Sequence, residues 1–292
     1  MPDHAELFPG FAAHSIETRG GRIFACIGGA GPPLLLLHGY PQTHAMWHRM
    51  APELSRHFTL VIPDLPGYGA SEVPATDADH TPFSKRGMGK AMVEVMEQLG
   101  YRHFMLVGHD RGGRVAYRLA LDAPQHLSRV AVLDILPTYD YWMRLDRQAA
   151  LRIFHWTLLA QPYPMPENLI SKDPDAFFGL AFAKGFDPRA VSQYLAPLRD
   201  PAHIHAACED YRAGAYIDFE HDKADREAGR KITIPLFVAW GSRGIASAAA
   251  APLDTWKAWA NDVSGAPVEA GHFLCEENPQ ATLAALMPFL TA

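Results

Sequence analysis

The chain has 292 residues, of which 48% are hydrophobic and 20% charged, so it can fold around a sizeable core and is not a disordered chain. Its net charge of −6 argues against nucleic acid and anionic membranes as partners, and any bound anion requires a local basic site. Cys26, Cys208 and Cys275 lie far apart without metal-ligand spacing, which predicts free thiols and no metal. With no signal-peptide pattern and no apolar run long enough to span a membrane, we expect a cytoplasmic protein.

Short apolar runs alternate with helical patterns along most of the chain. The runs predict buried parallel strands at Pro33–Leu37, Leu60–Ile62, Phe104–Val107, Val130–Leu133 and Pro235–Trp240. Between them, the pattern predicts helices at His44–Arg56, Phe83–Leu99, Gly113–Asp122, Asp254–Ala260 and Gln280–Leu286. The alternation predicts an α/β fold, with a mostly parallel sheet flanked by helices on both faces.

One long segment, residues 137–231, interrupts this alternation. It has no strand pattern and is rich in aromatic residues and proline. A structureless loop of this length would be unusual in a compact domain, so we predict a helical lid over the carboxyl edge of the sheet. The expected organisation is a core of residues 1–136 and 232–292 with a helical cap at 137–231.

The segment from Phe104 to Arg114 predicts a strand, a Gly-x-Asp-x-Gly turn and then a helix. This is the nucleophile-elbow pattern with Asp110 where a serine hydrolase has serine, and the tight turn requires small residues. By itself the motif also fits an ordinary aspartate at a helix N-cap. The loop after the first predicted strand contains Tyr40, and we expect the backbone amides of Tyr40 and Arg111 to form an oxyanion hole.

A base and an acid are predicted from the order of residues along the chain. His272 precedes the last predicted helix, and the order nucleophile, acid, histidine favours a catalytic base over a surface histidine. The segment after Trp240 offers no carboxylate. Asp134, at the end of a predicted strand, is therefore the candidate acid that orients His272, unless it only caps the turn before Pro137.

A carboxylate nucleophile narrows the reaction. Attack by Asp110 on an sp3 carbon displaces a leaving group and forms an alkyl ester, which water activated by His272 then hydrolyses. Halides and strained epoxides are suitable leaving groups. Arg111 and Arg114 share a helix face beside Asp110 in the first turn, where cations oppose the helix dipole, so an anion should compensate them. A substrate carboxylate suits arginine geometry, and Asp110 itself or a structural carboxylate are the alternatives.

Four segments together resemble the fluoroacetate (haloacetate) dehalogenases of the α/β-hydrolase superfamily. They are Gly108 to Arg114, His155-Trp156, Glu209 to Ala213, and Gly271 to Leu274. The likeness covers nearly the whole chain. It implies Asp110 as nucleophile, His272 and Asp134 as the water-activating pair, Arg111 and Arg114 on the substrate carboxylate, and His155, Trp156 and Tyr211 around the leaving halide. It further implies a small haloacid substrate, water as co-substrate, no cofactor and a homodimer.

Three other functions remain open. Epoxide hydrolases share the Asp elbow and use two lid tyrosines, for which the chain offers Tyr139, Tyr141, Tyr163, Tyr194, Tyr211 and Tyr216. The arginine pair and the missing acid after Trp240 count against that function. A serine esterase is disfavoured because residue 110 is aspartate, and a non-catalytic receptor is disfavoured because Asp110, Asp134 and His272 occur together.

Overall fold

The computed structural model describes residues 4–182, 185–246 and 252–292. One sheet has the strands β1 to β8, which are Ala12–Thr18, Gly21–Gly28, Pro33–Leu37, Thr59–Pro63, Phe104–His109, Leu127–Leu133, Leu236–Gly241 and Val263–Val268. Helices α1 to α4 are His4–Leu7, Ala51–Leu54, Lys85–Gln98 and Asp110–Asp122. Helices α5 to α12 are Thr138–Met143, Arg147–Arg152, Phe154–Leu159, Met165–Ile170, Pro174–Gly179, Pro188–Leu195, Pro201–Ala215 and Ile217–Glu227. Helices α13 to α15 are Pro252–Lys257, Leu274–Glu277 and Pro279–Thr291.

The strands lie in the order β1-β2-β4-β3-β5-β6-β7-β8. The pairs β1–β2 and β2–β4 are antiparallel and the others are parallel, which confirms the expected mostly parallel sheet. All five predicted strands are present. The sequence pattern missed β1, β2 and β8. Two of them, β1 and β8, form the sheet edges and carry few buried residues, and β8 contains Gly265 and Pro267.

Successive residues of the central strands point to opposite faces of the sheet. Leu35 and Leu37 pack in the cluster that contains Val115 of α4, whereas Leu34 and Leu36 pack in the cluster that contains Leu286 of α15. Helices therefore cover both faces, as expected. Burial on both sides also explains why these strands appear in the sequence as continuous apolar runs.

The predicted helix His44–Arg56 is wrong as a continuous element. The chain forms a short 3-10 helix at His44–Trp47 and then α2, with Pro52 in its first turn. Proline fits the first turn of a helix and breaks its interior, so two short helices replace one. The other four predicted helices overlap observed ones with shifted ends, and α4 starts at Asp110 rather than at Gly113.

The helices and strands found in the described residues between β6 and β7 are all helices, apart from an isolated β-bridge at Ile232, in agreement with the expected helical insertion. They include α7 and α11, which carry three of the predicted site residues, His155, Trp156 and Tyr211. The division into a core and a separate cap at 137–231 stays a prediction. The three cysteines are free and buried, as expected. Within the described ranges, no helix is long and apolar enough to cross a membrane, and no cluster of metal-ligating side chains occurs.

Candidate active site

A sharp turn between β5 and α4 presents Asp110. Asp110 is the first residue of α4 and has a φ of +48°, in the left-handed region that non-glycine residues rarely adopt. A Cβ at Gly112 would lie 2.4 Å from the carbonyl oxygen of His38, so only glycine fits where the turn passes the loop after β3. The strand, the tight turn and the helix therefore form the elbow expected from the sequence.

The Asp110 carboxylate is buried and held from two sides. The backbone amide of Tyr40 donates a hydrogen bond of 2.9 Å to Oδ1, and Nε2 of His272 lies 3.7 Å from Oδ2. Burial alone would raise the pKa of Asp110, but the charges of His272, Arg111 and Arg114 lower it. The carboxylate is thus ionised, which a nucleophilic role would require, and no backbone amide of the described residues donates a hydrogen bond to Oδ2.

His272 lies between Asp110 and Asp134. Its Nδ1 is 2.7 Å from Oδ2 of Asp134, which directs Nε2 towards Asp110. Burial would lower the pKa of His272, but the hydrogen bond and charge of Asp134, together with the charge of Asp110, raise it. Asp134 also accepts hydrogen bonds from the amides of Gly241 and Ile245. The end of β7 and the loop after it therefore hold the Asp134 carboxylate in place, although they contribute no carboxylate of their own.

The two arginines beside Asp110 have different partners. Arg111 is 1% exposed, and its Nε and Nη2 both donate to the carboxylate of Asp210 in α11. Asp210 also binds the ammonium group of Lys85 and the hydroxyl of Tyr68. A structural carboxylate therefore compensates Arg111, which was one of the alternatives left open by the sequence.

Arg114, also 1% exposed, has no carboxylate partner among the described residues. Its Nη1 donates to the carbonyl oxygen of Leu136 and to Oγ1 of Thr138, while Nε is buried without a partner. The indole of Trp156 lies 4.6 Å from its guanidinium carbon. Burying a cation without an ion pair costs free energy, so an anion bound next to Arg114 would be stabilising.

His155, Trp156 and Tyr211 come together although the first two are adjacent on one helix. Ring centres lie 5.6 Å apart for His155 and Tyr211 and 6.1 Å apart for Trp156 and Tyr211, so the tyrosine of α11 joins them. The Tyr211 hydroxyl is buried without a hydrogen-bond partner. Burial lowers the pKa of His155 to about 4, so its imidazole is neutral and has one N–H to donate.

A cavity of about 290 Å³ opens onto this constellation. Its lining includes Asp110, His155, Tyr211 and His272, together with a largely apolar wall. Trp156, Arg111 and Arg114 are not among the lining residues and are almost fully buried. The predicted nucleophile and base therefore face the cavity, and the arginines lie behind its wall.

Comparison with known proteins gives the family. Residues 32–279 match the model of the alpha/beta hydrolase fold family. The chain belongs to the α/β-hydrolase family. It is 41% identical to a fluoroacetate dehalogenase of a Burkholderia species over 98% of this chain and 95% of the relative. It is 31% identical to a soluble epoxide hydrolase of Corynebacterium sp. strain C12, over 94% and 96% of the two chains.

Among solved structures, ALR0039 of Nostoc sp PCC 7120 superposes on this α/β-hydrolase with a TM-score of 0.93. The two are 46% identical, and the match covers 96% of this chain and 98% of the other. These comparisons confirm the fold class and the family resemblance inferred from the motifs.

Two features of this α/β-hydrolase site escaped the sequence reasoning. Asp210 lies in the segment Glu209 to Ala213, but the sequence assigned it no role. The expectation that an anion compensates the two arginines could have pointed to this carboxylate. His109 precedes Asp110, and its Nε2 lies 2.8 Å from the carbonyl oxygen of His272. Burial lowers the pKa of His109 to about 4, so a neutral ring supports the loop that carries His272.

Proposed function

We propose that this α/β-hydrolase removes halide from haloacetates, converting fluoroacetate and water to glycolate, fluoride and a proton. The observation that carries the proposal is Arg114, a buried guanidinium that has no carboxylate partner in the described ranges and lies next to an ionised Asp110. An epoxide or a neutral halide would not satisfy that cation. A substrate carboxylate would.

The first step is attack by Asp110 on the carbon that bears the halide. Oδ2 forms the bond to carbon and the halide leaves with the bonding electrons, giving an ester on Asp110. Oδ1, already bound to the Tyr40 amide, becomes the carbonyl oxygen of that ester. The amides of Tyr40 and Arg111 then stabilise the oxyanion that forms during hydrolysis.

The second step is hydrolysis of the ester by water. Nε2 of His272 removes a proton from water as the water oxygen attacks the ester carbonyl carbon, which is Cγ of Asp110. The bond between this carbon and Oδ2 then breaks, and glycolate leaves with Oδ2 and takes the proton from the imidazolium. The proton on the new carboxyl group is released to solvent. Asp134 stabilises the protonated imidazole, and Asp110 regains a carboxylate that contains one water oxygen.

The leaving halide is stabilised by His155, Trp156 and Tyr211. Fluoride is a poor leaving group whose charge develops as the bond to carbon breaks, so donors placed there lower the barrier. An imidazole N–H, an indole N–H and a phenol O–H are such donors. The unpartnered hydroxyl of Tyr211 supports this role. Arg111, held by Asp210, and Arg114 take the substrate carboxylate.

Epoxide hydrolysis by the same Asp110 is the second candidate function. A specific observation favours it: Tyr211 lines the cavity and its buried hydroxyl has no hydrogen-bond partner, so this group could protonate an epoxide oxygen. Of the other lid tyrosines, Tyr163 and Tyr216 are strongly exposed and Tyr194 binds Glu276. Tyr141 is the second tyrosine near Trp156, but it does not line the cavity.

We also propose the homodimer and the cytoplasmic location that the sequence predicted. Exposed apolar side chains of the inserted segment support burial against a second copy: Leu151 on α6, Leu169 on α8, and Tyr163 in the loop before α8. Sedimentation analysis should give twice the monomer mass of 32.2 kDa. A monomer at all concentrations would contradict the dimer.

The reaction is tested with fluoroacetate, chloroacetate and a styrene-type epoxide, assaying halide and diol. We expect halide release from the haloacetates and none with Asp110→Ala. In a single turnover in heavy-oxygen water, the label should enter Asp110 and be absent from the first glycolate. Label in the first glycolate would exclude the ester route, and diol without halide would favour the epoxide function.

A further inference from the structure

The cavity has a basic mouth that the proposed chemistry does not use. Arg152 and Arg243 both line the cavity, and both are exposed, as are the lining residues Phe154 and Leu180. Asp110, at the inner end of the cavity, is 4% exposed. We call the four exposed lining residues the mouth.

The two mouth arginines come from different parts of the chain. Arg152 ends α6, and its Nη1 lies 3.5 Å from the carbonyl oxygen of Gly244. Arg243 precedes Gly244 in the loop after β7, and its amide binds the carbonyl oxygen of Ala270. An inserted helix and the loop beside His272 therefore bring two guanidinium groups to the same rim.

Neither mouth arginine is neutralised. Within the described ranges, no carboxylate forms an ion pair with Arg152 or Arg243. The chain from residue 244 to 253 contains no Asp or Glu. Glu277, which follows this loop in the chain, accepts hydrogen bonds from the amides of Gly271 and Phe273.

The charge of Arg152 also acts on Tyr141, which packs against Trp156. Burial raises the pKa of Tyr141 to about 12, and the charges of Arg114 and Arg152 oppose that rise. Arg152 thus contributes to the same positive field as the inner arginine. A cleft lined by one sign of charge raises the local concentration of the opposite ion.

We propose that Arg152 and Arg243 form an anion-collecting site, which holds the substrate carboxylate at the mouth before it reaches Arg111 and Arg114. The proposal rests on the proposed function, because it takes a haloacid as substrate. The chain as a whole carries a net charge of −6 and repels anions, so a local positive mouth offsets that repulsion. The site acts before chemistry, so it affects kcat/KM and not kcat.

The test compares Arg152→Gln, Arg243→Gln and the double variant with wild type on chloroacetate. Arg147→Gln is the matched control, since Arg147 is an exposed arginine on the same helix that does not line the cavity. At low ionic strength we expect the double variant to lose kcat/KM by about tenfold with kcat unchanged, and by about twofold or less at 0.5 M salt. Arg147→Gln should match wild type, and Arg152→Lys should retain most of the wild-type value.

The outcomes separate the two proposals. If wild type releases halide but the double variant keeps its kcat/KM and salt dependence, the collecting site is wrong and the proposed function stands. An equal loss in Arg147→Gln would mean that net charge matters and the mouth does not. A fall in kcat would place these arginines in the chemical step and also overturn the collecting role. If wild type releases no halide from haloacetates, both proposals fail.

Discussion

Arg114→Lys is the sharpest test of substrate recognition, because it keeps the buried charge and removes the guanidinium fork. Nη1 of Arg114 is engaged by Leu136 and Thr138, which leaves Nε and Nη2 to bind a carboxylate. An ammonium group at this position can replace one of those two bonds. The lost charge-assisted bond is worth about 1.5 to 3 kcal/mol, which corresponds to a fall in kcat/KM of about tenfold to 150-fold.

The assay measures kcat/KM for chloroacetate and for chloroacetamide, its neutral analogue, by chloride release. We expect wild type to prefer chloroacetate strongly and Arg114→Lys to lose most of that preference. Thermal unfolding provides the control for a merely structural effect, since a change in stability should lower both rates alike. If wild type turned over the amide as well as the acid, the carboxylate role of Arg114 would be refuted.

Four further predictions follow from the same site. His272→Ala should form the ester but not hydrolyse it, so mass spectrometry should find an adduct on Asp110; an unmodified, inactive variant would contradict this. In wild type, turnover should rise with pH through the raised pKa of His272, because only the neutral imidazole accepts a proton; a flat pH profile would exclude it as the base. Trp156→Phe and Tyr211→Phe should lower the rate of fluoride release from fluoroacetate much more than that of chloride release from chloroacetate, because a larger halide leaves more easily. Equal losses for both substrates would mean that the two residues shape the pocket and do not stabilise the leaving halide. Asp210→Asn removes the carboxylate that pairs with Arg111 and leaves Lys85 with only the more distant carboxylate of Asp218, so it should lower the free energy of unfolding by about 3 to 5 kcal/mol, measured by urea denaturation; an unchanged value would show that this ion-pair cluster is not needed for folding.

The sequence by itself determined the parts of the site that depend on local geometry. The buried strand before Gly108 and the glycines of the elbow indicate a tight turn, because any side chain there would meet backbone atoms. Because the segment after Trp240 has no carboxylate, the sequence predicted Asp134 as the partner of His272. In the structure, Oδ2 of Asp134 lies 2.7 Å from Nδ1 of His272. Continuous apolar runs predicted the central strands, because both faces of those strands are covered.

Tertiary structure decided whatever depends on partners distant in the chain. Asp210 pairs with Arg111 across 99 positions, so the sequence could not tell which arginine would be compensated and which left free. Tyr211 joins His155 to Trp156, although adjacent helical side chains do not share a face. The exposed edge strands β1 and β8 lack a continuous apolar pattern, because the sheet places few of their residues in the core. The two mouth arginines line the same cavity because an inserted helix packs against the loop after β7. The hydrophobic pattern of either segment does not indicate that the two segments are neighbours.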